Sequence, residues 1–226
     1  MVVTEQLKKY KVLISVILVI ILALMFFLFN SSSDSNAKEK ILEFENAVKQ
    51  GDAGKLQKLI KPENQEMAVT VEHFKQLVAY AEEHPDYLKE HAMYMEAQAE
   101  IINKDYTFRK HNRNLMYKTD EEINTFGDFY IKKTGGLFSS YEIVARPCYL
   151  NIEADKPNTT IEMFGKKIFT TSEGKLEYRY GPLMPGKYSI FGTTQIDGEV
   201  IKTKEEIEIF DNLNYERVTK ISLLSN

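Results

Sequence analysis

Hydrophobic and polar positions alternate along this chain in three successive ways. First comes an almost unbroken apolar run that opens on Val12, closes on Phe29 and holds one polar residue, Ser15. A helix rises ~1.5 Å per residue, so such a run matches the thickness of a bilayer's hydrocarbon core. Lys8, Lys9 and Lys11 precede it, and Ser31-Ser32-Ser33-Asp34 follow it. The positive-inside bias keeps the lysines cytoplasmic and sends the rest of the chain outward. A cleavable signal peptide has a shorter apolar stretch, about 7–15 residues, ending near a small-residue cleavage site. The nearest such site here, Ser35-Asn36-Ala37, lies several polar residues past the run, which favours an uncleaved anchor.

From Ala37 the period becomes helical. Ile41, Phe44 and Val48 fall on one stripe, and Gly51 supplies a stop. Asp52 is placed to cap a second helix carrying Leu56, Leu59 and Ile60, which Pro62 ends. Thr70 is placed to cap a third, with Phe74, Leu77, Val78 and Ala81 on its apolar face. His84-Pro85 closes that helix, because the residue before proline avoids the α region. Asp86 is read as the cap of the longest helix, on which Leu88, Ala92, Met95, Ala99 and Ile102 recur. Four amphipathic helices with short connections predict an antiparallel bundle or two stacked hairpins.

Beyond Phe129 the period is two. Ile143, Ala145, Leu150 and Ile152 read as one long strand interrupted at Arg146-Pro147. Short β runs follow over 160–164, 167–170, 176–180, 187–194, 199–209 and 217–223, with Gly165, Gly174, Pro185-Gly186 and Asp197-Gly198 as turns. Strands at this spacing predict a small antiparallel, Ig-like β-sandwich. The expected fold is therefore α+β: a single transmembrane helix, an extracellular helical bundle, then the sandwich. The expected divisions are a cytoplasmic N-terminus over 1–11, the membrane helix over 12–29, a linker over 30–36, a helical domain over 37–104, a connector over 105–140 and the sandwich over 141–226.

Charge narrows the partners. Without the first 29 residues, Lys and Arg fall from 29 to 26 and Asp and Glu from 33 to 32. An acidic exported portion argues against nucleic acid and against tight electrostatic docking on anionic lipid, and an anionic polymer would need a local basic patch. Cys148 is the single cysteine, so no intrachain disulfide forms, and a buried strand position is expected for it. Of the four histidines, His73, His84, His91 and His111, none stands at a metal-ligand spacing, and no metal or other cofactor is expected. Nucleophile elbows, phosphate loops and dinucleotide turns are also missing, so an enzyme is not the expected class.

The local segment best suited to a surface role is basic and aromatic: Tyr106, Phe108, Arg109, Lys110 and Arg113, with His111, Tyr117 and Lys118 beside them. Rings stack on sugar faces, and guanidinium and ammonium groups pair with phosphates, so this run is a candidate contact for an anionic envelope polymer. The alternative is a connector whose rings pack inward and whose charges are solvated.

Three blocks carry a family likeness: Phe44-Glu45-Asn46-Ala47-Val48-Lys49-Gln50-Gly51-Asp52 running on to Leu56-Gln57-Lys58-Leu59-Ile60; Gly136-Leu137-Phe138, Tyr141-Glu142-Ile143 and Arg146-Pro147-Cys148-Tyr149-Leu150; and Gly181-Pro182-Leu183-Met184-Pro185-Gly186-Lys187-Tyr188. In this order behind one anchor, the chain resembles the teicoplanin-resistance-associated, TcaA/YvbJ-like membrane proteins of Gram-positive bacteria. The resemblance implies an envelope protein tied to cell-wall architecture and glycopeptide susceptibility, with no catalytic residues to carry over. Two departures are expected to matter. Family members often begin with a zinc ribbon bearing CxxC pairs, absent from the residues before Val12, and longer members carry a further C-terminal domain. An inside-to-outside signalling role is therefore doubtful here.

The expected function is that of a single-pass, wall-facing binding or scaffolding module held by the bilayer through residues 12–29. It would contact peptidoglycan, teichoic acid or an envelope protein. The alternative is an accessory subunit docking on a membrane enzyme or transporter through its anchor and helical domain.

Overall fold

The computed structural model describes residues 19–20, 36–135, 140–211 and 218–223. The expected N-terminus, the linker and the apolar run lie outside these residues, apart from Val19, Ile20 and residue 36. Among the described residues, no helix is long and apolar enough to cross a membrane.

Helix α1 (residues 36–49) buries Ile41, Phe44, Ala47 and Val48, the predicted stripe, and ends where Gly51 takes a φ of 68°. Asp52 then caps α2 (Ala53–Leu59) by accepting the Lys55 N–H at 2.8 Å. Helix α3 (Val71–Glu83) follows Thr70 as expected. Helix α4 (Pro85–Asn103) starts one residue earlier than its predicted cap: His84 is the N-cap and Pro85 the first helical residue, a position where the missing N–H costs nothing.

These helices do not form a bundle. After α2 the chain enters a short strand, β1 (Ile60–Pro62), which pairs in parallel with β3 (Ser140–Ala145). Strand β2 (Phe129–Thr134) completes the sheet on the other side of β3, antiparallel, with Tyr130 opposite Val144. One buried cluster unites helix and sheet residues, from Ala37 through Phe44, Phe74 and Met95 to Phe129, Ile131, Ile143 and Ala145. The helices thus close on a three-stranded sheet, with α4 against β2. The prediction missed this because three residues, Ile60-Lys61-Pro62, are too few to show a period, and their strand partner is eighty residues away. Helices α5 (Thr107–His111) and α6 (Asp120–Thr125) flank α4 and share a small core in which Leu115 and Ile123 are fully buried.

Arg146-Pro147 is not an interruption within one strand. It is the crossing between two sheets: β3 ends at Ala145 and β4 (Cys148–Ala154) begins a second sheet. There β4 lies between β7 (Glu177–Leu183), antiparallel, and β10 (Val218–Leu223), parallel. A third sheet orders β6 (Lys166–Thr170), β5 (Thr160–Met163), β8 (Gly186–Ile196) and β9 (Glu199–Ile209), all antiparallel. Both sheets feed one core containing Cys148, Leu150 and Ile152 from one and Ile161, Met163 and Ile190 from the other. Cys148 is fully buried there. The predicted Asp197-Gly198 turn joins β8 to β9, with positive φ at both residues, as a two-residue hairpin of this hand requires.

Two side chains from the β region enter the helical core. Met184 and Phe210 both belong to the first cluster, and Phe210 stacks on Tyr80 with centroids 4.4 Å apart. Asp128, fully buried, accepts the Tyr87 hydroxyl at 2.8 Å and the Asp211 N–H at 2.7 Å. Its own N–H donates to His91 Nε2 at 2.9 Å, while His91 Nδ1 donates to the Tyr87 carbonyl. The region built on helices and the region built on strands are therefore joined through buried contacts.

Candidate functional site

A cleft of about 950 Å³ opens where the start of α3 faces the β5–β6 hairpin and the β7–β8 turn. Its α3 side begins at Thr70, whose N–H donates to His73 Nδ1 at 3.2 Å. That bond puts a histidine in the place usually held by Glu or Gln in a capping box and turns its ring inward. His73 is buried and lies 6.0 Å from the Tyr188 ring, centroid to centroid. Burial lowers its pKa below the ordinary 6.5, against the smaller raising effect of Glu72.

Gln76, one turn further along α3, reaches across to β8. Its Oε1 accepts the Lys187 N–H at 2.8 Å and its Nε2 donates to the Lys187 carbonyl at 3.4 Å. This stretch of β8 runs beyond its pairing with β5, which covers Ile190 to Thr193, so the side-chain amide occupies a position where a neighbouring strand would otherwise sit. Gly186 makes the approach possible: a Cβ there would fall 2.8 Å from Gln76 Oε1.

The opposite side is the β5–β6 turn. Phe164 and Gly165 both have positive φ, 55° and 68°, so the tip folds tightly and holds Phe164 outward. Phe164 is 57% exposed and meets the Tyr188 ring edge-on at 5.7 Å. Tyr188 is buried, donates its hydroxyl to the Met184 carbonyl, and has its phenol pKa pushed well above 10 by burial. Lys166 and Lys167 are exposed beside it, and neither has a salt-bridge partner among the described residues. Lys187, also on the cleft, is paired with Glu208 at 2.7 Å, and Glu72 with Lys75 at 3.1 Å. Exposed Phe191 lies at the β8 end, 5.9 Å from the Lys204 ammonium. Aromatic faces beside unpaired ammonium groups suit a ligand that combines apolar faces with negative charge. Among the described residues, no group of three or more His, Cys, Asp or Glu could hold a metal ion.

The basic aromatic run lies elsewhere, against α4, and it divides. Phe108 packs on the small core of Leu115 and Ile123. Arg109 is drawn into the fold: it pairs with Asp120, donates to the Lys118 carbonyl, and stands over the Tyr106 ring at 6.0 Å. The Glu100 carboxylate accepts the N–H groups of Phe108 and, at 2.9 Å, of Arg109. Lys110 and Arg113 remain exposed. None of these five residues reaches the cleft. The histidines are equally scattered: His84 stacks on Tyr80, His91 is buried beside Asp128, and His111 is exposed on α5.

Reading along the chain missed the cleft, since α3 and the β5–β6 hairpin are some ninety residues apart. One local sign existed. Phe164 immediately before Gly165 puts a large ring at a turn, where solvent-facing polar residues are usual.

Residues 38–145 match the family model for the TcaA protein second domain. Its last residue, Ala145, is also the last residue of β3. The chain is similar to the uncharacterized membrane protein YvbJ of Bacillus subtilis (strain 168), at 20% identity over 194 residues, which is 85% of this chain and 28% of that protein. The chain therefore spans under a third of the length of this curated relative. No solved structure matches.

Proposed function

The chain is TcaA/YvbJ-like, and from that premise we propose that it is a membrane-anchored, envelope-facing binding module. Residues 12–29 would span the bilayer once, with the lysines before them inside the cell and residues 36–223 outside. Its two modules would meet after Ala145, a helix-on-sheet module carrying the TcaA second domain and an Ig-like β-sandwich. The membrane character of the relative supports the location. The shared core of the second and third sheets supports the sandwich.

The cleft between the modules is the binding site in this reading. Its ligand is an anionic, sugar-bearing polymer of the envelope, with Phe164 and Phe191 stacking on rings and Lys166 and Lys167 pairing with phosphate or carboxylate groups. One observation carries the proposal: two lysines with no ion-pair partner among the described residues share the rim of a roughly 950 Å³ cavity with exposed phenylalanines. The glycopeptide connection belongs to the same reading, since altered contact with wall polymer changes what reaches the membrane surface.

The test is retention of the full chain, held in lipid nanodiscs, on purified peptidoglycan and on teichoic-acid-bearing wall. Retention that falls about tenfold for Lys166→Glu with Lys167→Glu supports the cleft. Retention unchanged by these variants and by Phe164→Ala overturns it, and no retention of the parent chain overturns the binding role. Protease added to intact cells must also digest the β region; protection there would overturn the topology.

A further inference from the structure

The segment that follows α4 has a shape that folding alone does not require. Leu115 is fully buried and pins the loop to α4 beside Tyr94 and Ala97. Arg109, through Asp120 and the Lys118 carbonyl, ties α5 to the start of α6. On this fixed frame Met116 is 43% exposed and Tyr117 is 87% exposed, the highest value for any large hydrophobic side chain among the described residues. Lys110 and Arg113 are exposed earlier in the same segment, and Lys104 at its start, on an otherwise acidic chain. A rigid loop that holds a ring and a thioether in water, flanked by cations, suits a surface with apolar depth and negative charge.

Position identifies that surface. Six residues, 30–35, separate the apolar run from α1, and even fully extended they span no more than ~25 Å. The start of α1 must stay that close to any bilayer the run occupies. Lys38, in the first turn of α1, is near enough to Asp105, just past the end of α4, for its charge to favour that carboxylate, and Asp105 holds the turn into α5 by accepting from Thr107. The loop over 112–118 follows directly.

We propose that this loop rests on the membrane, with Met116 and Tyr117 in the headgroup layer and Lys110 and Arg113 on the phosphates of anionic lipids. The inference rests on the anchor reading above. It assigns the exposed part of the basic aromatic run to the bilayer and leaves the cleft for polymer. Docking at two points, the anchor and the loop, would fix how the cleft is presented.

The chain contains no tryptophan, so Tyr117→Trp creates a single indole, excitable apart from the tyrosines, in the full-length protein. The variant is reconstituted into vesicles of phosphatidylcholine and phosphatidylglycerol, with and without bromine on the acyl chains. Flotation of the vesicles reports the anchor separately. Bromine should reduce the indole emission of Tyr117→Trp about twofold, while Val200→Trp, on the β8–β9 hairpin, stays bright. Adding Lys110→Glu and Arg113→Glu, or omitting phosphatidylglycerol, should restore the emission, with the melting temperature unchanged. Protein that floats but whose emission at position 117 ignores bromine, or is quenched no more than at position 200, overturns the loop and spares the anchor. Quenching that survives the charge reversals overturns the lipid-phosphate contact. Protein that does not float overturns both readings.

Discussion

The Gln76 amide closes on both backbone groups of Lys187, accepting its N–H at 2.8 Å and donating to its carbonyl at 3.4 Å. A helix side chain here substitutes for a β partner and fixes one module against the other at the edge of the cleft. Gln76→Ala should cost about 0.5–1.5 kcal/mol, since the bonds are partly open to water that replaces them. Gly186→Ala should cost a similar amount, because its Cβ would push Gln76 Oε1 out of place. The two losses share a cause, so the double variant should lose distinctly less than their sum in urea unfolding. Strict additivity would show that Gly186 is needed for some other reason.

Asp128 should be the costlier position. It is fully buried and serves the Tyr87 hydroxyl from α4 and the Asp211 N–H beyond β9. Asp128→Ala strands both donors and is expected to cost about 2–4 kcal/mol, read as a lower urea midpoint at constant slope. Asp128→Asn keeps one acceptor oxygen and should lose less. Equal losses for the two would mean that the carboxylate itself, which both variants remove, matters more than the single acceptor oxygen that Asn keeps.

His73 makes stability sensitive to acid. Burial lowers its folded pKa below 6.5, so between that lowered value and 6.5 the unfolded chain binds more protons than the folded one. Stability therefore rises with pH through this window and falls on acidification from pH 7 toward 5. His73→Gln keeps an acceptor for the Thr70 N–H but cannot titrate. Its melting temperature should change less between pH 7 and 5 than that of the parent, and parallel curves would assign the acid sensitivity to another group.

Glu96 has the opposite sign. Burial raises its carboxyl pKa above 4.5, Glu45 and Glu100 add to the rise, and Lys38 opposes it. The folded state then holds the proton more tightly than the unfolded chain, so this group lowers stability as pH climbs through its folded value. Glu96→Gln should raise the melting temperature at pH 7, with the gain vanishing near pH 4. A gain that persists at pH 4 would point to packing rather than charge.

Much of the architecture was legible along the chain because its signals are local. The stripe of Ile41, Phe44 and Val48 predicts α1, Thr70 marks the start of α3, and Asp197-Gly198 predicts a two-residue hairpin. The strand at Ile60 was not legible, since three residues carry no period and its partner, Ile143, is eighty-three positions on. Arg109 shows the same limit for function. Its neighbours in sequence make it look like a surface cation, and only the fold brings Asp120 and the Lys118 carbonyl to it.

The order of side chains along this chain determined where helices begin, which faces turn inward and where strands reverse, because those choices depend on neighbours within a few positions. Strand partners, the placement of β3 and β4 in separate sheets, and the cleft between His73 and Phe164 were decided by tertiary packing alone. Burying two apolar surfaces against each other rewards whichever distant segments fit, and no stretch of sequence carries the shape of its eventual neighbour.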